Sequence, residues 1–111
     1  MKKFDLKGMA AKSGGEYVFG AEDTGSHACY MIYGTLAPGE KGRRIRPGKG
    51  HEEMIVAING KLMVSGECSG TLAAGEAMHL VGGQTCYLEN SGNSEGIYII
   101  AGGHTEHGHD H

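Results

Sequence analysis

Asn59-Gly60 is the sharpest break in this chain, set between two β-rich runs, Glu52 to Ile58 and Lys61 to Val64. Asn-Gly takes up the backbone geometry of a two-residue hairpin with little strain, so the pair predicts a strand that folds straight back on itself. Just before this strand comes a polar cluster, His51-Glu52-Glu53, approached through the Gly/Pro-rich stretch Arg46 to Gly50. Residues two apart on a strand share a face. His51 and Glu53 therefore point with Ile55 and Ala57, and Glu52 points with Met54, Val56 and Ile58. An imidazole and a carboxylate on the inner face of a closed β wall would make a site.

The rest of the chain repeats this pattern of short apolar runs between turn residues. Its 21 glycines among 111 residues lie far above the usual share but follow no period, which excludes a collagen-like or low-complexity chain. They read as the turns of one all-β domain. Strands are expected at Glu16 to Gly20, Cys29 to Leu36, Glu52 to Ile58, Lys61 to Val64, Ala77 to Val81, Thr85 to Leu88 and Gly96 to Ala101, with shorter pieces between them. Such a set closes as a sandwich, jelly roll or small barrel. Residues 1–15 read as an irregular lead, where Phe4 and Leu6 could add an edge strand and only residues 1–12 could form a helical turn.

A net charge of −3 gives no reason to expect nucleic acid. No apolar run approaches the length of a membrane span, and the N-terminus has no apolar core of a signal peptide, so no membrane partner is expected. Three cysteines, Cys29, Cys68 and Cys86, are an odd number without framework spacing, which favours free thiols in a reducing cytoplasm.

The segment Gly75 to Asn90, GEAMHLVGGQTCYLEN, resembles the second motif of the cupin superfamily, G-x5-P-x-G-x2-H-x3-N. Gly75, Gly83 and Asn90 keep its spacing, whereas Val81 replaces the usual Pro and Cys86 the usual metal-binding His. Glu53 and Gly60 fit the E-x6-G half of the first motif. The H-x-H that normally precedes that Glu is missing, its places taken by Pro47 and Lys49 or by Arg46 and Gly48. His51 comes two residues before the Glu instead. The resemblance runs from about Tyr30 to Ala101 and implies a double-stranded β-helix, or jelly-roll barrel, over residues 16–102. It also implies a homodimer, a small-molecule ligand and a divalent metal. His51, Glu53, Cys86 and His104 would be the donors, and Glu53 or His51 would move protons. A thiolate among the donors would tilt the site towards Zn or Fe, and the His-rich end of the chain would suit Ni as well. Isomerase, lyase and dioxygenase activities all occur among cupins, so the resemblance does not choose a reaction.

Each of these residues also has a plainer reading. Cys86 could be a small buried hydrophobe in a barrel without metal, and Glu53 could be satisfied by an ion pair with Arg44 or Arg46. Those two arginines belong to a basic stretch with Lys41, Arg43 and Lys49. It reads either as an anion-binding lip, with Arg44 and Arg46 as the clamp, or as a solvated edge strand. Residues 103–111 read as a flexible tail carrying His104, His107, His109 and His111. The alternative to an enzyme is a non-catalytic module that binds a ligand or metal, its barrel otherwise empty or metal-free.

Overall fold

A computed structural model describes residues 1–105. Eleven elements follow one another: α1 (Leu6–Ala11), β1 (Glu16–Phe19), α2 (Ala21–Thr24), β2 (Cys29–Leu36), β3 (Arg43–Ile45), β4 (His51–Asn59), β5 (Lys61–Gly66), β6 (Gly70–Ala73), β7 (Ala77–Val81), β8 (Cys86–Asn90) and β9 (Gly96–His104). The strands form two antiparallel sheets. One has five strands in the order β1-β2-β9-β4-β7, and the other has four in the order β3-β8-β5-β6.

The core lies between the two sheets and is filled from both sides. Leu36, Ile55, Ala57, Leu80, Tyr98 and Ile100 come from the five-stranded sheet; Ile45, Leu62, Val64, Leu72, Cys86 and Leu88 come from the other. Each set alternates along its strands, as one buried face of a pleated sheet requires. Removing this apolar surface from water is what favours the closed sandwich over either sheet alone.

Asn59-Gly60 does not make the hairpin that its sequence predicts. β4 pairs with β7 and β9, and β5 pairs with β6 and β8, so the turn carries the chain from one sheet to the other. The physical reason lies in the apolar pattern on its two sides. Ile55 and Ala57 must face Leu62 and Val64 across the core, whereas a flat hairpin would set all four on one sheet. The corner is held by Asn59 Nδ2, which donates to the Glu95 carbonyl at 2.8 Å, and by Gly60 at φ +84° against the Gly96 backbone.

The N-terminal lead is helical at residues 6–11 and adds no edge strand. Asp5 caps it by accepting from the Gly8 N–H at 3.1 Å. Phe4 stacks on Phe19 of β1 with ring centroids 4.8 Å apart. Between β1 and β2 the chain makes the single helical turn α2, and the basic stretch contains the three-residue strand β3. Towards the C-terminus β9 runs three residues beyond the expected end, to His104, so the strand takes in the first two residues of the expected tail. His107, His109 and His111 lie outside the described residues.

Asn90, fully buried, organises the loop before β9. Its side-chain amide donates to the Leu36 and Ser94 carbonyls at 2.9 and 2.8 Å and accepts from the Gly92 N–H at 3.0 Å. Among the described residues no buried side-chain nitrogen or oxygen is left without a partner.

Candidate functional site at the barrel mouth

β4 brings the polar cluster to the open end of the five-stranded sheet. His51 and Glu53 lie on its inner face and Glu52 on its outer face. Glu53 is only 5% exposed, a costly position for a carboxylate without a partner. Its partner is Tyr30 of β2, whose hydroxyl donates to Glu53 Oε2. Neither Arg44 nor Arg46 reaches it.

β2 and β4 are not neighbours; β9 lies between them and contributes Gly102. A Cβ there would collide with Cζ of the Tyr30 ring, so the ring crosses β9 through the gap that glycine leaves. Burial, and after it the bond to the Glu53 carboxylate, raises the Tyr30 hydroxyl well above the ordinary tyrosine pKa.

Above this buried pair sit two imidazoles. His51 and His104 face each other in the β4–β9 register, with ring centroids 4.9 Å apart. Tyr30 packs edge-on against His51 at 5.6 Å. His104 Nε2 lies 2.7 Å from the His27 carbonyl, which can only accept, so that nitrogen carries a proton and Nδ1 is left for another partner. Tyr30, His51, His104, His27 and Cys29 line an open cavity of 350 Å³.

A larger open groove, 690 Å³, lies by the outer side chains Glu52, Met54, His79 and Ala101. Glu52 and His79 are joined there at 2.8 Å.

The four expected metal donors are divided. His51 and His104 are neighbours at the mouth, while the Glu53 carboxylate is held by Tyr30. Cys86 is fully buried in the apolar core, where it meets Cys68 rather than the mouth residues. Burial, with that thiol beside it, pushes the Cys86 pKa up to about 11. Among the described residues no three His, Cys, Asp or Glu side chains gather as a metal ion would need. The four expected donors, all among the described residues, do not converge on one point.

The basic stretch divides by face. Arg44 and Arg46 are exposed, and Arg43 turns inward with Ile45. Arg43 Nη1 donates to the Tyr98 hydroxyl at 2.8 Å, and Nη2 donates to the Thr35 carbonyl at 3.1 Å and to Glu40 Oε2 at 3.0 Å. The Tyr98 hydroxyl in turn donates to Glu16. Sequence reasoning missed Tyr30, Tyr98 and this use of Arg43. The signal that could have found Tyr30 was the alternation Tyr30, Ile32, Gly34, Leu36 along β2, which sets the tyrosine on the face that Leu36 buries.

No family model matches this sequence, and no curated protein matches it closely enough to be informative. Solved structures do match its fold. A protein from Thermus thermophilus superimposes with a TM-score of 0.68 at 21% identity, covering 94% of this chain and 98% of that one. The cupin-2 domain of an XRE-family transcriptional regulator from Enterobacter cloacae gives a TM-score of 0.66 at 20% identity, with 82% and 98% covered. Oxalate oxidase in complex with the substrate analogue glycolate gives 0.67 at 19%, and the match takes in 93% of this chain but only 56% of the oxidase. The class that the two sheets define is therefore an all-β jelly roll, and within it the chain has the double-stranded β-helix fold of the cupins.

Proposed function

We propose that this chain is a small ligand-binding cupin module that takes a small anionic molecule at the barrel mouth, against His51, His104 and Tyr30. The observation that carries this reading is the Tyr30–Glu53 hydrogen bond. It commits the buried, inward-facing Glu53 carboxylate to the fold, and Cys86 lies with Cys68 in the core. What remains open at the mouth is a pair of imidazoles with a tyrosine ring behind them. Arg46 and Lys49 lie exposed on the loop that leads into His51 and add positive charge beside it. A carboxylate suits such a lip.

Glycolate, the molecule named with the oxidase, is a suitable probe. Titration followed by amide NMR should move the signals of His51, His104 and Tyr30, and His51→Ala should abolish the change with the remaining spectrum intact. Signals that stay fixed in the wild-type protein, up to saturating glycolate and other small carboxylates, would refute this reading. The competing reading is a metal-dependent isomerase, lyase or dioxygenase. It is favoured by the backbone anchor on His104, the kind of second contact that orients metal-binding imidazoles. Elemental analysis of a chain ending at Thr105 separates the two: a stoichiometric metal there would favour the enzyme.

The expected homodimer is best accommodated on the outer face of the five-stranded sheet. Met54 is 59% exposed there, beside the exposed Met31 and Val81. Five strands of this length present roughly 600 Å², the order of one partner's share of a standard interface. The isolated chain would leave that apolar surface wet, and a second copy covers it with like against like. Met54→Lys should turn a sedimenting dimer into a monomer; an unchanged sedimentation coefficient would rule out this face. Three free thiols support a reducing compartment such as the cytoplasm.

A further inference from the structure

Cys68 and Cys86 lie together where β5 ends beside β8, on the opposite sheet from the mouth. β5 ends at Gly66, whose cross-strand partner is Cys86. Gly66 sits at φ +101°, and a Cβ on it would stand 3.2 Å from Cys86 Cα and 2.8 Å from the Thr85 carbonyl, so the two backbones touch there. The turn that follows is pinned to the start of β8 at both ends of one residue pair. Glu67 N–H donates to the Thr85 carbonyl at 3.0 Å, and Thr85 N–H donates to Glu67 Oε2 at 2.8 Å. This clamp holds Cys68, two residues beyond the Gly66–Cys86 pair, against the core and close enough for its thiol to act on that of Cys86. Cys68 packs against the core yet stays partly open to solvent, while Cys86 is closed off.

The geometry points to Cys68 and Cys86 as a peroxide-oxidisable dithiol, with Cys68 attacking first and Cys86 resolving. Cys68 Sγ attacks one oxygen of hydrogen peroxide. The O–O bond breaks, the thiol proton leaves with the departing hydroxide as water, and Cys68 carries a sulfenic acid. Cys86 Sγ then attacks Cys68 Sγ, so that an S–S bond forms and the S–O bond breaks. The hydroxide departs with the Cys86 proton as a second water. Two thiols lose two electrons together, and one peroxide is reduced to two waters. The order follows from access: the oxidant can reach only Cys68, and Cys86 needs only to reach its neighbour. Its high pKa makes it a poor first nucleophile in any case.

The Cys29→Ser variant removes the exposed third thiol and leaves both partners in place. After treatment of the folded protein with hydrogen peroxide, both remaining thiols should vanish from a denatured thiol assay and the intact mass should fall by two hydrogens. Glu76 is the only Glu between the two cysteines, so cleavage after Glu should yield residues 68–76 joined to residues 77–89 until reductant is added. In Cys29→Ser/Cys68→Ser the buried Cys86 should keep its thiol under the same treatment. An oxygen adduct that persists on Cys68 without the link, a link between two chains, or Cys86 oxidised as fast without Cys68 would each overturn the assignment.

Discussion

Tyr30 reaches Glu53 across an intervening strand, and it does so only because residue 102 of that strand has no side chain. The same device recurs on the other side of the β2–β9 pair. Tyr98 of β9 lies over Gly34 of β2, where a Cβ would run into its Cζ, and delivers its hydroxyl to Glu16 of β1. The two central strands thus exchange roles: each supplies one tyrosine and one glycine, and each tyrosine ties the outer neighbour of its partner.

Gly102→Ala should therefore act through Tyr30. The ring has to leave its path, which costs about 1–3 kcal/mol of overpacking, and the stranded Glu53 carboxylate adds about 1–3 kcal/mol. Urea unfolding should show a lower midpoint, and Gly102→Ala/Tyr30→Phe should be less destabilised than the sum of its single changes. Strict additivity would mean that the ring does not run over Gly102.

Alkaline pH should ionise the buried Cys86 thiol first and the two tyrosine hydroxyls after it. Cys86 is raised from 9.0 to about 11, so its protonated form contributes stability in full below pH 9 and loses it as the pH climbs to 11. Tyr30 and Tyr98 are raised above 10.0, so their contribution is complete below pH 10 and is lost at still higher pH. Stability should fall from pH 9 upward. Cys86→Ala should flatten the first part of the decline, and Tyr30→Phe the later part. The chain has no Trp, so tyrosinate absorbance can be followed cleanly, and Tyr30→Phe should remove one late-titrating group.

Arg43 and Arg44 are adjacent in sequence and should behave differently. Arg43→Ala removes donors to the Tyr98 hydroxyl, the Thr35 carbonyl and Glu40, for a loss of about 2–3 kcal/mol. Exposed Arg44→Ala should stay within about 0.5 kcal/mol. Equal effects in thermal or urea unfolding would contradict the facing of β3.

Asn90→Ala leaves the Leu36 carbonyl and the Gly92 N–H without their side-chain partner inside the fold. Stability should drop by about 2–4 kcal/mol, and hydrogen exchange should quicken first at the Gly92 N–H.

The fold was legible because apolar alternation and glycine breaks are local properties. β2, β4, β7 and β9 all follow from period-two runs between turn residues. The Asn59-Gly60 turn was located but its outcome was not: Asn-Gly specifies a reversal, and whether the chain re-enters the same sheet depends on which residues Ile55 and Leu62 must face. The mouth was only half visible. Period two sets His51 and Glu53 on one face, yet the partner of Glu53 comes from a residue far away in sequence, through a gap at Gly102 that no local pattern announces. Cys86 sat in the correct motif position, and its spacing could not say that a second thiol at Cys68 would stand beside it.

The corner at Asn59 has a mechanical effect on the mouth, several residues away along β4. If β4 slid by one residue along β9, Glu52 and Met54 would turn inward, and Glu53 and His51 would swing to the solvent side. Asn59, clipped to the Glu95 carbonyl beyond the register shift that follows Ala57, acts like a peg at the far end of the strand whose other end pairs His51 with His104.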